Sequence, residues 1–158
     1  MDSSLALMIG LAACYAGATS LPALVRRLGL QRAVAAGVGV VAAVVLAFAL
    51  MLLLARVHVG ATAVVVLLFT GAAAYLVLRP DLDQRAATGT AIGVAVVIGA
   101  AFVFVSYLAV MAFIGAAGVY LLLRLFLRIR PALLVMGGTM CCLLAASGAV
   151  FAVALSNM

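Results

Sequence analysis

The hydrophobic pattern of the chain consists of long apolar runs separated by short groups of charged residues. The longest run extends from Ala86 to Leu123 and contains 38 residues without an Asp, Glu, Lys, Arg or His. As a single helix it would be about 57 Å long, nearly twice the roughly 30 Å hydrocarbon core of a bilayer. Even a tilt of about 40° would hide only about 26 residues. The run therefore predicts two helices joined by a turn between Val105 and Leu108, where Ser106 and Tyr107 interrupt the apolar sequence.

Four further apolar runs complete a prediction of six membrane-spanning helices. Pro80 is placed to end the third helix, and Pro131 is placed to begin the sixth, because proline is tolerated in the first turn but not inside a helix. With 71% hydrophobic and 8% charged residues, the 158-residue chain is too apolar for a soluble domain. The expected fold is an all-α polytopic membrane protein, a single integral membrane domain over residues 1–158. Its helices cover about residues 4–25, 33–55, 60–78, 87–104, 108–123 and 132–155.

The arginines test the six-helix count independently, because basic residues collect in the cytoplasmic loops of membrane proteins. All nine basic residues are arginines, and six helices divide them 8 against 1 between the two sides, whereas five helices divide them 5 against 4. The count favours six helices in a bacterial inner (plasma) membrane, with both termini on the outer, periplasmic side. The expected cytoplasmic residues are Arg26, Arg27, Arg32, Arg79, Arg85, Arg124, Arg128 and Arg130, and Arg56 lies opposite. These arginines could bind anionic lipid headgroups or an acidic partner surface, and control of orientation alone explains them equally well.

An internal repeat predicts three helical hairpins in tandem. Each odd-numbered helix contains an aromatic-x-Gly-Ala element, with its glycine at Gly17, Gly71 or Gly115, followed eight or nine residues later by an arginine. Small residues let helices approach closely in lipid, so these glycines are predicted to pack helices together. Gly89 and Gly93 form a GxxxG pair in the fourth helix. That pair packs inside the bundle on one interpretation and docks onto a larger partner on the other.

Residues able to carry chemistry are scarce. The three acidic residues, Asp2, Asp81 and Asp83, lie at the terminus or in a loop, where Asp81 or Asp83 could cap the fourth helix. A proton-coupled transporter usually needs an ionisable residue at depth, and no catalytic motif is present. The sequence therefore predicts no enzyme and no bound cofactor. The three cysteines, Cys14, Cys141 and Cys142, lack metal-site spacing and are expected to be small buried hydrophobes.

One weak constellation lies near the expected outer face. Thioether and imidazole ligands suit Cu(I), and the six-helix arrangement places Met8, Met51, His58 and Met111 at a similar depth. The ordinary interpretation is that the methionines fill gaps in the core and that His58 is an interfacial polar residue. A haem or quinone contact at His58 is a further alternative. Nucleic-acid binding is disfavoured, because the arginines are not clustered among aromatic residues.

The N-terminal half resembles a known group of proteins. Leu11, Tyr15, Ala16 and Gly17 lead to Arg26 and Arg27, and Thr70, Gly71, Ala72 and Ala73 lead to Leu78, Arg79 and Pro80. Over residues 5–81 this pattern is similar to short uncharacterised bacterial inner-membrane proteins, encoded beside siderophore-uptake and PepSY-type iron-reductase components. The resemblance implies a role near iron uptake. The hairpin repeat also resembles the MHYT sensory membrane domain, although Val105, Ser106 and Tyr107 replace its signature.

Three functions remain open at this point. The first is a non-catalytic accessory or structural subunit of an inner-membrane complex, linked by the resemblance to iron or siderophore uptake. The second is a small oligomeric transporter or channel that passes its solute along close-packed backbone. The third is a membrane-embedded sensor or cofactor-binding module that uses His58 and the outer methionines. The expected partners are the lipid bilayer and either another membrane protein or further copies of the chain.

Overall fold

A computed structural model describes residues 3–56 and 58–156 of the chain, and within these ranges the structure is helical without strands. The prediction of an all-α chain with six helices is confirmed. The helices are α1 (Ser3–Leu28), α2 (Leu30–Ala55), α3 (Val59–Leu78), α4 (Gln84–Val105), α5 (Tyr107–Leu123) and α6 (Ile129–Ser156).

The helices extend further into the polar connections than the sequence pattern predicted. Helix α1 continues through Pro22 to Leu28, and α4 and α6 each begin three residues before their expected start. Arginine and glutamine are good helix formers, so a charged residue ends an apolar run without ending the helix. Pro131 is the third residue of α6, within the first turn, where its missing N–H removes no intrahelical hydrogen bond.

Five of the described helices are long and apolar enough to cross a membrane: α1, α2, α3, α4 and α6. Helix α5 has 17 residues and is the most enclosed, because it contacts α1, α3, α4 and α6. Eight of its residues are buried, among them Phe113 and Tyr120, two of the largest fully buried side chains in the described chain. The shortest helix is therefore the one against which four of the other five helices pack.

The connections that follow α1, α3 and α5 meet at one end of the bundle. Arg26, near the end of α1, points Nη1 at the backbone oxygen of Leu125, 3.5 Å away, and Asp81, after α3, forms an ion pair with Arg124, after α5. The ends of α1, α3 and α5 therefore lie side by side. The most extensive contacts in the bundle join neighbours in sequence, α1 with α2, α3 with α4 and α5 with α6.

Ser106 divides the longest apolar run into two helices. Its backbone has φ 50° and ψ −130°, and α4 ends at the preceding residue while α5 begins at the following one. Its N–H donates to the carbonyl oxygen of Phe102 at 2.8 Å, and its own carbonyl accepts from the N–H of Ala109 at 3.2 Å. The rings of Phe102 and Tyr107 meet edge to face across the break, with centroids 5.9 Å apart. One residue thus serves both helix ends.

Replacing Ser106 with glycine is expected to stabilise the protein. The φ and ψ values resemble those of the first central residue of a type II′ turn, a position that favours glycine, and such backbone strain costs about 1 to 3 kcal/mol. We expect Ser106→Gly to raise the free energy of unfolding by about 1 kcal/mol, measured by thermal denaturation in detergent. The control is Ser147→Gly inside α6, which should lower it by about 0.5 kcal/mol. A similar loss in both variants would contradict the positive φ at Ser106.

Candidate functional site

A cluster of polar side chains joins the α3–α4 connection to the end of α5. Oδ1 of Asp81 lies 3.0 Å from Nη2 of Arg124, and the Tyr120 hydroxyl donates a hydrogen bond of 2.9 Å to Oδ2. The side chain of Asp81 is only 8% exposed, whereas that of Arg124 is 33% exposed. A carboxylate removed so far from water needs charged and hydrogen-bonding partners. Tyr120 and Arg124 supply one for each oxygen.

Local backbone geometry brings these three residues together. Tyr120 and Arg124 are four residues apart, a spacing that places two side chains on the same side of a helix. The carbonyl of Leu78 accepts hydrogen bonds from the N–H groups of Asp81 and Leu82, both at 3.0 Å, and this turn places Asp81 beside α5. The pKa of Arg124 is raised, mainly by its hydrogen bond to Asp81. The guanidinium therefore stays charged, and its Nη1 also donates to the carbonyl of Leu127 at 3.3 Å.

Sequence reasoning placed these residues in a common region but missed the cluster. Asp81 was a candidate helix cap and Arg124 an orienting charge, yet Asp81 pairs with Arg124, and Asp83, at the N-cap position of α4, forms no side-chain cap hydrogen bond. One signal was available: the predicted topology puts both connections on the same side of the membrane. Tyr120 lies one turn before Arg124 on the same side of α5, so both side chains are placed to contact Asp81.

The other arginines expected to face lipid headgroups lie at the surface. Arg79 stacks over the ring of Tyr75, with Cζ 5.8 Å from the ring centroid, and Arg26 approaches the Leu125 carbonyl. The side chain of Arg27 falls outside the described residues. The exposed members of the set are Arg26, Arg32, Arg79, Arg85, Arg128 and Arg130.

The three glycines of the aromatic-x-Gly-Ala repeat lie where neighbouring helices meet. A Cβ atom built on Gly17 would lie 2.6 Å from Cγ2 of Val41 on α2, a distance that real Cβ atoms do not adopt. A Cβ on Gly71 would lie 3.4 Å from Cβ of Ala95 on α4, and one on Gly115 would lie 3.2 Å from Cδ1 of Leu143 on α6. Each repeat glycine therefore faces the helix that follows its own in the chain.

Gly89 and Gly93 behave differently from the repeat glycines. A Cβ on either would meet no described atom within 4 Å, and both residues are exposed. At about 100° per residue, Gly89, Gly93, Val96 and Ala100 share the centre of the outward side of α4, and all four are exposed. We call these four residues the α4 glycine face. The described chain itself covers none of it.

Two of the four predicted methionine and histidine ligands line a common cavity. Met8 and Met111 line one small cavity of about 40 Å³, together with Phe48 and Tyr107. Met51 is fully buried in the core of α2, and His58 lies exposed at the start of α3, where its carbonyl accepts hydrogen bonds from Thr62. Within the described part of the chain, no group of three or more His, Cys, Asp or Glu side chains could hold a metal ion.

The expectation that the cysteines are buried inside the chain is wrong. Cys14, Cys141 and Cys142 are all exposed. Apolar residues in a membrane-compatible helix can face lipid as readily as a protein core, so an apolar sequence context does not indicate burial.

No family model, curated protein or solved structure matches this chain. The contacts described above therefore carry the functional argument. Two surface features stand out from the ordinary packing of the bundle. One is the α4 glycine face, and the other is the charged end formed by Arg26, Asp81 and Arg124.

Proposed function

We propose that this chain is a non-catalytic subunit of a membrane assembly, which binds a transmembrane helix of another protein through the α4 glycine face. The observation that supports this proposal is the open space around Gly89 and Gly93. Glycine inside a helix costs about 0.5 to 1 kcal/mol relative to alanine. In lipid, two small residues four apart allow another helix to approach closely. The free energy of such a contact would offset the cost of the two glycines.

Open space alone does not distinguish these two glycines, because a Cβ on Gly10, Gly29, Gly39, Gly137, Gly138 or Gly148 would also meet no described atom within 4 Å. Gly89 and Gly93 differ in their spacing of four residues on one exposed side of a helix. Two other glycines pack inside the bundle. A Cβ on Gly99 would lie 2.6 Å from Cδ2 of Leu67, and one on Gly118 would overlap the ring of Tyr15. Gly99 therefore allows α4 to pack closely against α3, and Gly118 allows α5 to pack closely against α1. The α4 glycine face has no such use within the described residues.

Buried polar groups favour docking over transport. Among the described residues, the buried serine and threonine side chains are Thr19, Ser20, Thr62 and Thr70. Each of these hydroxyls donates to a carbonyl of its own helix or, for Thr62, to that of His58 just before α3. Groups satisfied in this way do not offer a solute a row of exchangeable partners. A polar path through the described interior is therefore not apparent, and the exposed position of His58 offers a cofactor no enclosed site.

The arrangement in the membrane is part of the same proposal. We infer three tandem hairpins, α1 with α2, α3 with α4 and α5 with α6, in a bacterial inner membrane with the arginine-rich end in the cytoplasm and both termini outside. The extensive contacts between sequence neighbours support the hairpins. The meeting of Arg26 with Leu125 and of Asp81 with Arg124 supports a common side for these connections. A link to iron uptake rests on the resemblance of residues 5–81 alone.

Gly93→Leu is expected to release the partner without unfolding the subunit. A Cβ at this exposed position meets no described atom within 4 Å, and the leucine side chain would hold a second helix away from the glycine face. We expect the variant to keep its thermal stability. Its affinity for a stoichiometric partner should fall at least about tenfold, which corresponds to about 1.4 kcal/mol of binding free energy. The measurement is native mass spectrometry of the tagged chain, extracted into nanodiscs at natural abundance.

The control for this experiment is Ala42→Leu, which adds similar bulk at an exposed position of α2. It should leave the complex intact. A wild-type chain that carries no other protein, or a partner that is retained equally by both variants, would overturn the proposal. Recovery of homo-oligomers alone, with solute flux by the purified chain, would instead favour the transporter.

A further inference from the structure

A continuous groove runs along one side of the bundle between α1, α2, α3 and α5. Its deep part has a volume of about 340 Å³ and is lined by apolar residues that include Phe69, Phe113 and Ile114. An adjoining cavity of about 420 Å³ reaches the charged end at Arg26, Asp81 and Arg124. Both parts share Ser20, Val40, Leu76, Val77 and Leu121 as lining residues. We call the two parts together the lateral groove.

The deep part has an apolar wall because its two polar lining residues direct their hydroxyls to backbone carbonyls of their own helix. Thr19 and Ser20 are the polar residues that line it, and their hydroxyls donate to the carbonyls of Tyr15 and Gly17, both at 2.9 Å. Ala43 on α2 and Ala72 on α3 line the groove and are also exposed. The groove therefore opens sideways between α2 and α3, where a membrane would place hydrocarbon.

The dimensions of the groove match one leaflet of a bilayer. From Ala16, in the deep part, to Arg26, at the charged end, α1 rises about 15 Å, half of the roughly 30 Å hydrocarbon core. The deep part extends about 12 Å along α3, from Phe69 to Val77, so its volume of about 340 Å³ gives a mean cross-section of about 30 Å². A helix about 10 Å across has a cross-section of about 80 Å², so a single hydrocarbon chain matches this open-sided groove more closely than a helix does.

The charged end carries an excess of positive charge. Asp81 is engaged by Arg124 and Tyr120. The guanidinium of Arg26 has a backbone carbonyl 3.5 Å away and forms no ion pair with a described carboxylate. Two guanidinium groups therefore face one carboxylate at the end of an apolar groove. This combination complements a molecule with an anionic head and a hydrocarbon tail.

We propose that the lateral groove binds an anionic lipid, with one acyl chain in the deep part and the headgroup against Arg26 and Arg124. The lipid enters from the leaflet at the arginine-rich end, which is the cytoplasmic leaflet in the topology proposed above. This site lies on the side of the bundle formed by α1, α2, α3 and α5, and it does not involve the α4 glycine face. Lipid binding and partner binding can therefore succeed or fail independently.

Native mass spectrometry with defined lipids tests the site. Purified wild-type protein is exchanged into detergent with phosphatidylglycerol or phosphatidylcholine of the same acyl chains. We expect one phosphatidylglycerol per chain, retained about fivefold or more over phosphatidylcholine, since an arginine near an anionic headgroup contributes about fivefold in affinity. Equal retention of both lipids would overturn the proposal. Displacement of the bound phosphatidylglycerol by glycerol phosphate, which has the headgroup but no acyl chain, would also overturn the proposal.

Two pairs of variants separate the head from the tail. Arg26→Gln should lower the preference for phosphatidylglycerol about fivefold, while Arg32→Gln, at an exposed arginine in the first turn of α2, should not. Ala43→Phe should fill the deep part and remove the bound lipid, while Ala42→Phe, exposed and outside the lining of the groove, should retain it. Ala72→Leu narrows the groove from its opposite rim and should also remove the lipid. Lipid retained in both Ala43→Phe and Ala72→Leu would overturn the proposal, as would a peptide found in place of lipid.

Discussion

Arg124→Ala is expected to lower the free energy of unfolding by about 2 to 3 kcal/mol. Removing one partner of a buried ion pair typically costs about 3 to 5 kcal/mol, because the other charge is left buried and unpaired. The expected loss is smaller here because Arg124 is 33% exposed, so water already reaches part of the pair, while Asp81 is 8% exposed. The Tyr120 hydroxyl would remain as a partner of Oδ2. Denaturation in mixed micelles with increasing SDS measures the change.

A second arginine in the same connection tests whether Arg124 acts through its ion pair or only through the effect of its charge on membrane orientation. Arg128 lies four residues further along the same connection and is exposed, so Arg128→Ala removes the same charge from the same side of the membrane. If Arg124 only sets the topology, the two variants should be equally stable. We expect Arg128→Ala to change the free energy of unfolding by less than about 0.5 kcal/mol.

A double-mutant cycle with Asp81→Ala identifies the partner. Once Asp81 is absent, removal of Arg124 should cost little, because no buried carboxylate remains to be stabilised. The coupling energy between the two substitutions should be about 2 kcal/mol. Strictly additive losses would mean that Arg124 stabilises the fold through packing rather than through Asp81.

The helical architecture could be predicted from the sequence because the length of an apolar run and the position of the arginines can both be recognised in short stretches of chain. The 38-residue run from Ala86 to Leu123 exceeds what one helix can bury, and this length alone required a break. The break occurs at Ser106, inside the interval that the polar interruption marked. The helix ends were less accurate, since Gln84 and Ile129 begin helices in segments that the sequence pattern assigned to connections.

The polar cluster and the glycine contacts depend on information that apolar helices do not carry locally. Asp81 and Tyr120 are 39 residues apart, and the run between them is apolar on nearly every side, so its periodicity does not show which side faces inward. A GxxxG pattern identifies Gly89 and Gly93 as small, but it does not say which neighbour they meet. Gly17 and Gly93 both lie in apolar helices, yet Gly17 faces α2 whereas Gly93 faces away from the described chain.

Gly17→Leu is expected to lower the free energy of unfolding by about 3 kcal/mol, because it forces two tightly packed helices apart. A Cβ at this position would already lie 2.6 Å from Cγ2 of Val41. Valine has essentially one side-chain rotamer in a helix and cannot turn away, so α1 and α2 must separate. Overpacking of this kind costs about 1 to 3 kcal/mol, and leucine is near the upper end because it adds a whole side chain. Thermal denaturation in detergent measures the change.

Gly10→Leu is the matched control, since a Cβ at this position of the same helix would meet no described atom within 4 Å. It increases the hydrophobicity of α1 equally, so any difference between the two variants reports packing. We expect Gly10→Leu to keep or slightly raise the stability, because leucine favours a helix over glycine by up to about 1 kcal/mol. Equal stability of the two variants would mean that α1 and α2 are not in close contact at Gly17.

Alanine substitutions extend the test to all three repeat glycines, whose neighbours differ in their freedom to move. Gly17→Ala should still destabilise, because Val41 cannot move aside. At Gly115 the new methyl group would lie 3.2 Å from Cδ1 of Leu143, and this half-exposed side chain can rotate, so the loss should be close to zero. At Gly71 the distance of 3.4 Å to Ala95 is ordinary contact, and alanine should stabilise by a few tenths of a kcal/mol. This order, Gly17 then Gly115 then Gly71, follows from the neighbours alone; a repeat whose glycines were equivalent would give three equal effects.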